Sequence, residues 1–174
     1  MTEKELEQCI NAYGKEIYSF CRHLTMNQTE ADDLYQDTFL KLIELKSKID
    51  FKNNPKSYLL SIALRIWKNR KRKYAWRKRI SQELEPSMDF SENDCEDPNA
   101  SLDIQIIRQE EISLVNQAVA RLPEHFRLII LFYYMEELSV GEIASILKIP
   151  AGTVKSRLFH ARKILEKELE DVLK

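Results

Sequence analysis

Between Arg65 and Arg79 the chain reads RIWKNRKRKYAWRKR, nine Lys or Arg and no acid. From Ile80 to Ile107 it holds no Lys or Arg, while Glu83, Glu85, Asp89, Glu92, Asp94, Glu96, Asp97 and Asp103 accumulate. The formal net charge of −1 hides this segregation. A single-sign cluster sets up a local potential that attracts polyanions whatever the total charge. The acidic stretch also carries Pro86, Pro98 and several Ser and Asn, with little apolar periodicity. Such a composition cannot bury enough surface to offset the cost of ordering the chain. Residues 80–104 are therefore read as a flexible acidic linker, its charge serving either to keep it solvated or to compete with nucleic acid for the basic face. That break divides the chain into an N-terminal and a C-terminal helical unit. With 174 residues, 44% of them hydrophobic, and only 3 Gly and 5 Pro, the expected fold class is all-α, with two small helical domains at 1–79 and 105–174.

Several classes fall away at once. No apolar run approaches the roughly 18 residues of a membrane span; the longest, Leu128 to Met135, suits a buried helix, so no membrane insertion is expected. The charged, acidic start, Met1-Thr-Glu-Lys-Glu-Leu-Glu, is unlike a secretory signal. Cys9, Cys21 and Cys95 are widely spaced, with no CxxC pair, and read as reduced thiols of a cytoplasmic protein. Cys9, Cys21 and His23 fall short of the four closely organised ligands of a structural zinc site. No metal or other cofactor is expected.

In the N-terminal part, Leu6, Ile10, Tyr13, Ile17, Phe20 and Leu24 keep the three-to-four spacing of an amphipathic helix over residues 3–24. Thr29, with Asp32 three residues on, predicts the N-cap of a second helix running from Glu30 to about Leu45. That helix buries Ala31, Leu34, Tyr35, Phe39, Leu42 and Ile43. Its other face presents Asp33, Gln36 and Asp37, neighbours on the surface because residues three and four apart adjoin. They form either a solvated helix face or a docking surface. After Asn53-Asn54-Pro55 a third helix begins near Lys56, with Tyr58, Leu59, Ile62, Ala63, Ile66 and Trp67 inward. Arg65, Lys68, Arg72 and Lys73 are left outward, with Trp67, Tyr74 and Trp76 among them. Cations track phosphates and aromatic faces stack on unpaired bases, so the interleaving favours single strand. Trp67 is compatible with the core as well.

In the C-terminal part, Ile106, Ile107, Ile112, Val115, Val119 and Leu122 mark one helix, and Pro123 suits the first turn of the next, which runs to about Glu136. Ser139 with Glu142 makes an S-x-x-E capping box opening a short helix that buries Ile143, Ala144 and Leu147. Lys148-Ile149-Pro150 then leads into a longer basic helix through Val154, Leu158, Ala161, Ile164, Leu165 and Leu169. A short helix, a tight turn and a longer basic helix are the helix-turn-helix pattern, whose second helix enters the major groove. Thr153, Lys155, Ser156, Phe159 and His160 are the expected base-facing residues, and Arg157, Arg162 and Lys163 the phosphate-facing ones.

Over nearly its whole length the chain resembles the extracytoplasmic-function RNA polymerase sigma factors. Glu30-Ala-Asp-Asp-Leu-Tyr-Gln-Asp-Thr-Phe-Leu resembles their region-two motif. The resemblance implies that Asp33, Leu34, Gln36 and Asp37 bind polymerase, docking on the clamp helices of the β′ subunit. Asn54-Pro-Lys-Ser-Tyr-Leu-Leu-Ser-Ile-Ala-Leu-Arg resembles the segment that reads and opens the −10 element. It implies −10 DNA contacts from Lys56, Ser57, Arg65, Lys68, Asn69, Arg72 and Lys73. Ile149-Pro-Ala-Gly-Thr-Val-Lys-Ser-Arg-Leu-Phe-His-Ala-Arg is similar to the −35-reading helix of region four. It implies −35 contacts from Thr153, Lys155, Ser156, Arg157, Phe159, His160 and Arg162. The implied partners are core RNA polymerase, through its β′ clamp helices and β flap, promoter DNA as duplex and single strand, and an anti-sigma factor, often membrane-anchored. The chain departs from the family at Arg65, where Asn is common, at Asn69, where Asp is, and at His160, where Arg is frequent; these positions bear on promoter preference.

Three rival readings remain open at this point. A stand-alone helix-turn-helix regulator accounts for residues 138–170 but gives no task to Asp33, Gln36, Asp37 and the basic–aromatic helix. A sigma-like regulator would bind polymerase without initiating. An enzyme acting on nucleic acid would need an acidic metal cluster or a phosphate-cradling glycine loop, and neither is legible; His23, His125 and His160 are scattered.

Overall fold

The computed structural model describes residues 3–45, 54–80 and 102–172. The linker reading falls mainly on 81–101 and the turn at Asn53 on 46–53, outside the described residues. No strand occurs among those described, and the chain divides into two compact units, one on each side of Ser91.

The N-terminal unit packs α1 (Glu3–Thr25), α2 (Gln28–Glu44) and α3 (Pro55–Ile80) against one another. In α1 the buried stripe runs through Cys9, Ile17, Phe20, Cys21 and Leu24, and Ile10 is 38% exposed. Cys9, one residue earlier, takes the inward position expected for Ile10, because successive helical residues differ by about 100° and the smaller thiol meets the bundle. Gly14 is also buried; a Cβ there would stand 3.0 Å from the Tyr35 hydroxyl, so the glycine lets α1 and α2 approach. The Tyr18 hydroxyl donates to Asp32 Oδ1 at 2.7 Å, and its ring meets Tyr35 edge-on. The cap of α2 is Asn27, not Thr29. Asn27 is extended (φ −144°, ψ 129°) and its Oδ1 accepts the Glu30 N–H at 3.0 Å, which leaves Thr29 already inside the helix. α2 then buries Ala31, Leu34, Phe39 and Leu42, and also Thr38, whose hydroxyl donates to the Leu34 carbonyl at 2.7 Å.

α3 opens on Asn54, in the left-handed region at φ 50°, whose Oδ1 accepts the Ser57 N–H at 3.2 Å. Asn is among the few non-glycine residues that visit this region readily. Leu59, Leu60, Ile62, Ala63, Leu64 and Trp67 are buried. From Lys71 to Ile80 every residue is exposed, so the last turns of α3 extend past the bundle.

The C-terminal unit contains α4 (Leu102–Arg121), α5 (Glu124–Ile130), a π-helical turn (Leu131–Met135), α6 (Val140–Leu147) and α7 (Ala151–Val172). α4 is seated by Ala118, Val119 and Leu122, whereas Ile112 and Val115, expected inward, are 55% and 43% exposed. Pro123 stands just before the first turn, as the N-cap, and its carbonyl accepts from the N–H groups of Phe126 and Arg127 at 2.9 Å. Arg127 is buried and donates to the Ala120 carbonyl at 3.1 Å, tying α5 to the end of α4; burial lowers its pKa, partly countered by the charge of Glu124. At the π turn the Glu136 N–H reaches back five residues to the Leu131 carbonyl at 3.0 Å. Such a wide turn sets consecutive side chains closer in angle than an α-helix does.

Candidate functional site

The acidic patch of α2 is only partly the open surface that its spacing suggests. Asp33 and Gln36 are exposed, but Leu34 is wholly buried and supports the patch from beneath, so it offers no docking surface itself. Its place in the i, i+3, i+7 set with Ala31 and Thr38 turns it into the bundle. Asp37 is already engaged: Arg70 of α3 reaches its Oδ2 at 2.6 Å and the Asp33 carbonyl at 3.3 Å. Arg70 lies 33 residues from Asp37, so helical periodicity gave no signal for it. A shallow groove between α2 and α3 is lined by Asp37, Lys41, Glu44, Asn69, Arg70 and Lys73.

Along α3 the expected residues separate into two groups. Lys56 pairs with Glu16 of α1 at 2.8 Å and has a side chain only 19% exposed, which ties α3 to the bundle, while Ser57 lies in the first turn capped by Asn54. Arg65, Lys68, Arg72 and Lys73 are exposed, and Asn69 accepts from Arg72 at 3.2 Å. The aromatics divide the same way. Trp67 belongs to the core at 6% exposure, with Lys71 Nζ 4.6 Å from its ring centre, while Tyr74 and Trp76 stand outward at 54% and 64%. Beyond Trp67, α3 is a cationic rod with two bare aromatic faces.

The helix-turn-helix is built as its residues dictate. Ser139 Oγ accepts the Glu142 N–H at 3.3 Å, and Glu142 accepts the Ser139 N–H at 2.9 Å, closing the capping box. Lys148 ends α6 in the left-handed region at φ 56°, and Pro150 caps the start of α7 through the Val154 N–H at 3.2 Å. Val154, Leu158 and Ala161 are buried, with i, i+4, i+7 spacing that fixes the rotation of α7. Lys155, Ser156, Phe159, His160, Arg162 and Lys163 are consequently exposed, and Thr153 and Arg157 half-buried. Phe159 is 55% exposed, a large apolar side chain on an otherwise polar stripe, with Lys163 Nζ 4.8 Å from its ring centre. Tyr134 adjoins this stripe from the π turn and was not among the residues expected there; its hydroxyl accepts a hydrogen bond from Arg162 Nε at 2.5 Å.

No group of three His, Cys, Asp or Glu able to hold a metal ion occurs among the described residues, and no described helix is long and apolar enough to cross a membrane. Cys9 and Cys21 are buried thiols, and burial pushes the Cys9 thiol above its ordinary pKa.

Residues 9–77 match the family described as sigma-70 region 2, and residues 112–165 match sigma-70 region 4. Among curated relatives, the ECF RNA polymerase sigma factor SigW of Bacillus subtilis is 29% identical over 168 residues, covering 94% of this chain and 88% of the relative. RNA polymerase sigma-H factor of Pseudomonas aeruginosa is 28% identical over 167 residues, covering 93% and 84%. The sigma factor RpoE in complex with the anti-sigma factor NepR from Bartonella quintana has a like fold, with a TM-score of 0.78 at 23% identity over 96% of this chain and 98% of that one. CnrH in complex with the cytosolic domain of CnrY gives 0.67 at 18% identity over 98% and 90%.

Proposed function

The chain belongs to the sigma-70 family, in its extracytoplasmic-function branch, and on that footing we propose how its two units divide the work of promoter-specific initiation. The protein binds core RNA polymerase and directs it to promoters by reading −10 and −35 elements. The family is one of transcription initiation factors; in this reading no covalent chemistry is done by the chain itself, and polymerase supplies the active site. The N-terminal unit, residues 1–79, docks on polymerase through Asp33, Gln36 and Asp37 and lays α3 along the −10 region. There Arg65, Lys68, Arg72 and Lys73 hold phosphates while Tyr74 and Trp76 offer faces to unstacked bases. The C-terminal unit, residues 105–174, sets α7 in the −35 major groove, with Lys155, Ser156, Phe159 and His160 toward base edges and Arg157 and Arg162 toward phosphates. Residues 80–104 connect the two as an acidic tether. An anti-sigma factor holds the protein inactive until a signal arrives. Its work is in the cytoplasm, where such an inhibitor can retain it at the inner face of the membrane.

The observation that carries this reading is the rotation of α7. Burial of Val154, Leu158 and Ala161 commits one face to the unit and leaves a cationic stripe with an exposed Phe159 turned outward. Run-off transcription with core polymerase and a promoter library tests it. Transcripts from a defined promoter subset are expected. Failure of purified core polymerase to bind the chain, with no inhibitor present, refutes the proposal; binding without transcripts would leave a regulator that rides on polymerase without initiating.

A further inference from the structure

Arg162 does not extend freely into solvent. Its Nε donates to the Tyr134 hydroxyl at 2.5 Å, and its guanidinium carbon lies 5.5 Å and 5.4 Å from the ring centres of Tyr133 and Tyr134. Two consecutive tyrosines face one cation because they belong to the π turn, whose wider winding reduces the angle between neighbours. The Glu136 N–H to Leu131 carbonyl bond holds that turn. Tyr134 is itself 54% exposed, so the pair sits at the surface rather than in the core. Along α7, Arg162 is seven residues after Lys155, within about 20° of the same line, and Phe159 lies between them. The hydroxyl occupies only Nε. The two terminal nitrogens present the planar fork suited to a phosphate, and the Arg162 side chain as a whole is exposed.

We infer that Tyr134 is a positioning residue for promoter recognition: its hydroxyl orients the guanidinium of Arg162 for a bidentate contact with a phosphate beside the −35 element. The inference rests on the proposed placement of α7 in duplex DNA. An unrestrained arginine would lose its rotamer freedom on reaching the backbone; the Tyr134 hydroxyl and the paired rings remove part of that freedom beforehand. The contact adds affinity without specifying sequence.

The test uses holoenzyme reconstituted from core polymerase and the full chain, with a promoter duplex selected from a randomised library by that holoenzyme. Arg162→Ala is expected to weaken binding and lower the salt dependence of log K by about 1, as loss of one phosphate contact does. Tyr134→Phe keeps the ring and deletes the hydroxyl; it is expected to weaken binding by about fivefold. That loss is to be equal across promoters with altered −35 sequence and absent in an Arg162→Ala background. A melting temperature for Tyr134→Phe within a degree or two of the parent excludes unfolding as the cause. If Arg162→Ala leaves binding and its salt slope unchanged, the DNA-facing role of Arg162 fails and the positioning role with it. If Arg162→Ala weakens binding but Tyr134→Phe does not, or its loss persists without Arg162, the positioning role alone is overturned.

Discussion

Asp37 carries two roles whose energies differ enough to be told apart. It pairs with Arg70 at 2.6 Å, yet the Asp37 and Arg70 side chains are 48% and 39% exposed. Solvent screening at that exposure limits such a pair to about 1 kcal/mol or less. Asp37→Ala and Arg70→Ala should therefore each lower the stability of the N-terminal unit by under about 1 kcal/mol, read from denaturant midpoints at constant slope. Core binding should respond quite differently. If Asp37 meets the polymerase clamp as the proposed reading has it, its loss deprives a desolvated contact of a charge, costing about 2 kcal/mol or more, a factor of about 30 in Kd. Arg70→Ala, by contrast, frees Asp37 from its internal partner and should leave core affinity unchanged or raise it by at most about fivefold. The assay is titration of labelled protein with core polymerase in the absence of DNA. Equal weakening by both substitutions would refute the reasoning, because it would make Asp37 a brace between α2 and α3 whose effect on polymerase passes through the fold.

Three further outcomes are expected. Tyr74→Ala and Trp76→Ala should reduce open-complex formation, read by permanganate footprinting, while Trp67→Ala should cost about 3–5 kcal/mol of stability, since Trp67 alone of the three is core. Lys148→Gly should stabilise the C-terminal unit by about 1 kcal/mol, seen as a rise of several degrees in its melting temperature, because a non-glycine residue there holds φ at 56°. Burial raises the Cys9 thiol pKa in the folded state. Its stabilising contribution is thus whole below the ordinary thiol range and is lost as pH climbs through the folded value, so Cys9→Ala should flatten the alkaline limb of a stability–pH curve.

What the residues disclosed in advance depended on how local the physics was. The helix-turn-helix was legible in outline because a capping box, a tight turn and an i, i+4, i+7 stripe are all encoded within 23 residues, Ser139 to Ala161, although of Ile143, Ala144 and Leu147 only Ile143 is fully buried and the other two are half-buried. The α2 cap was misplaced because Thr29 and Asp32 imitate the capping spacing, whereas Asn27 needs only its own extended backbone and the Glu30 N–H. Ile10 was expected inward but Cys9 holds the buried position, because one step around α1 separates inside from outside. Tyr134 escaped notice because a 3.6-residue template does not describe a π turn. Arg70 escaped notice because its partner lies on another helix, and nothing in the spacing of a basic run says which cation is held.

The overhanging end of α3 has a consequence for when it is most secure. Ten exposed residues, Lys71 to Ile80, span about 15 Å of helix beyond the half-buried Arg70. Six of the ten are cations crowded on adjacent turns, where like charges oppose the winding that brings them together. No apolar face compensates, and the dipole favours only the final turn, Arg77 to Arg79. A row of phosphates laid beside it would cancel that mutual repulsion and shield the coil from fraying. The nucleic acid would then act as the missing side of the bundle, and the segment that grips it would be firmest in its grasp.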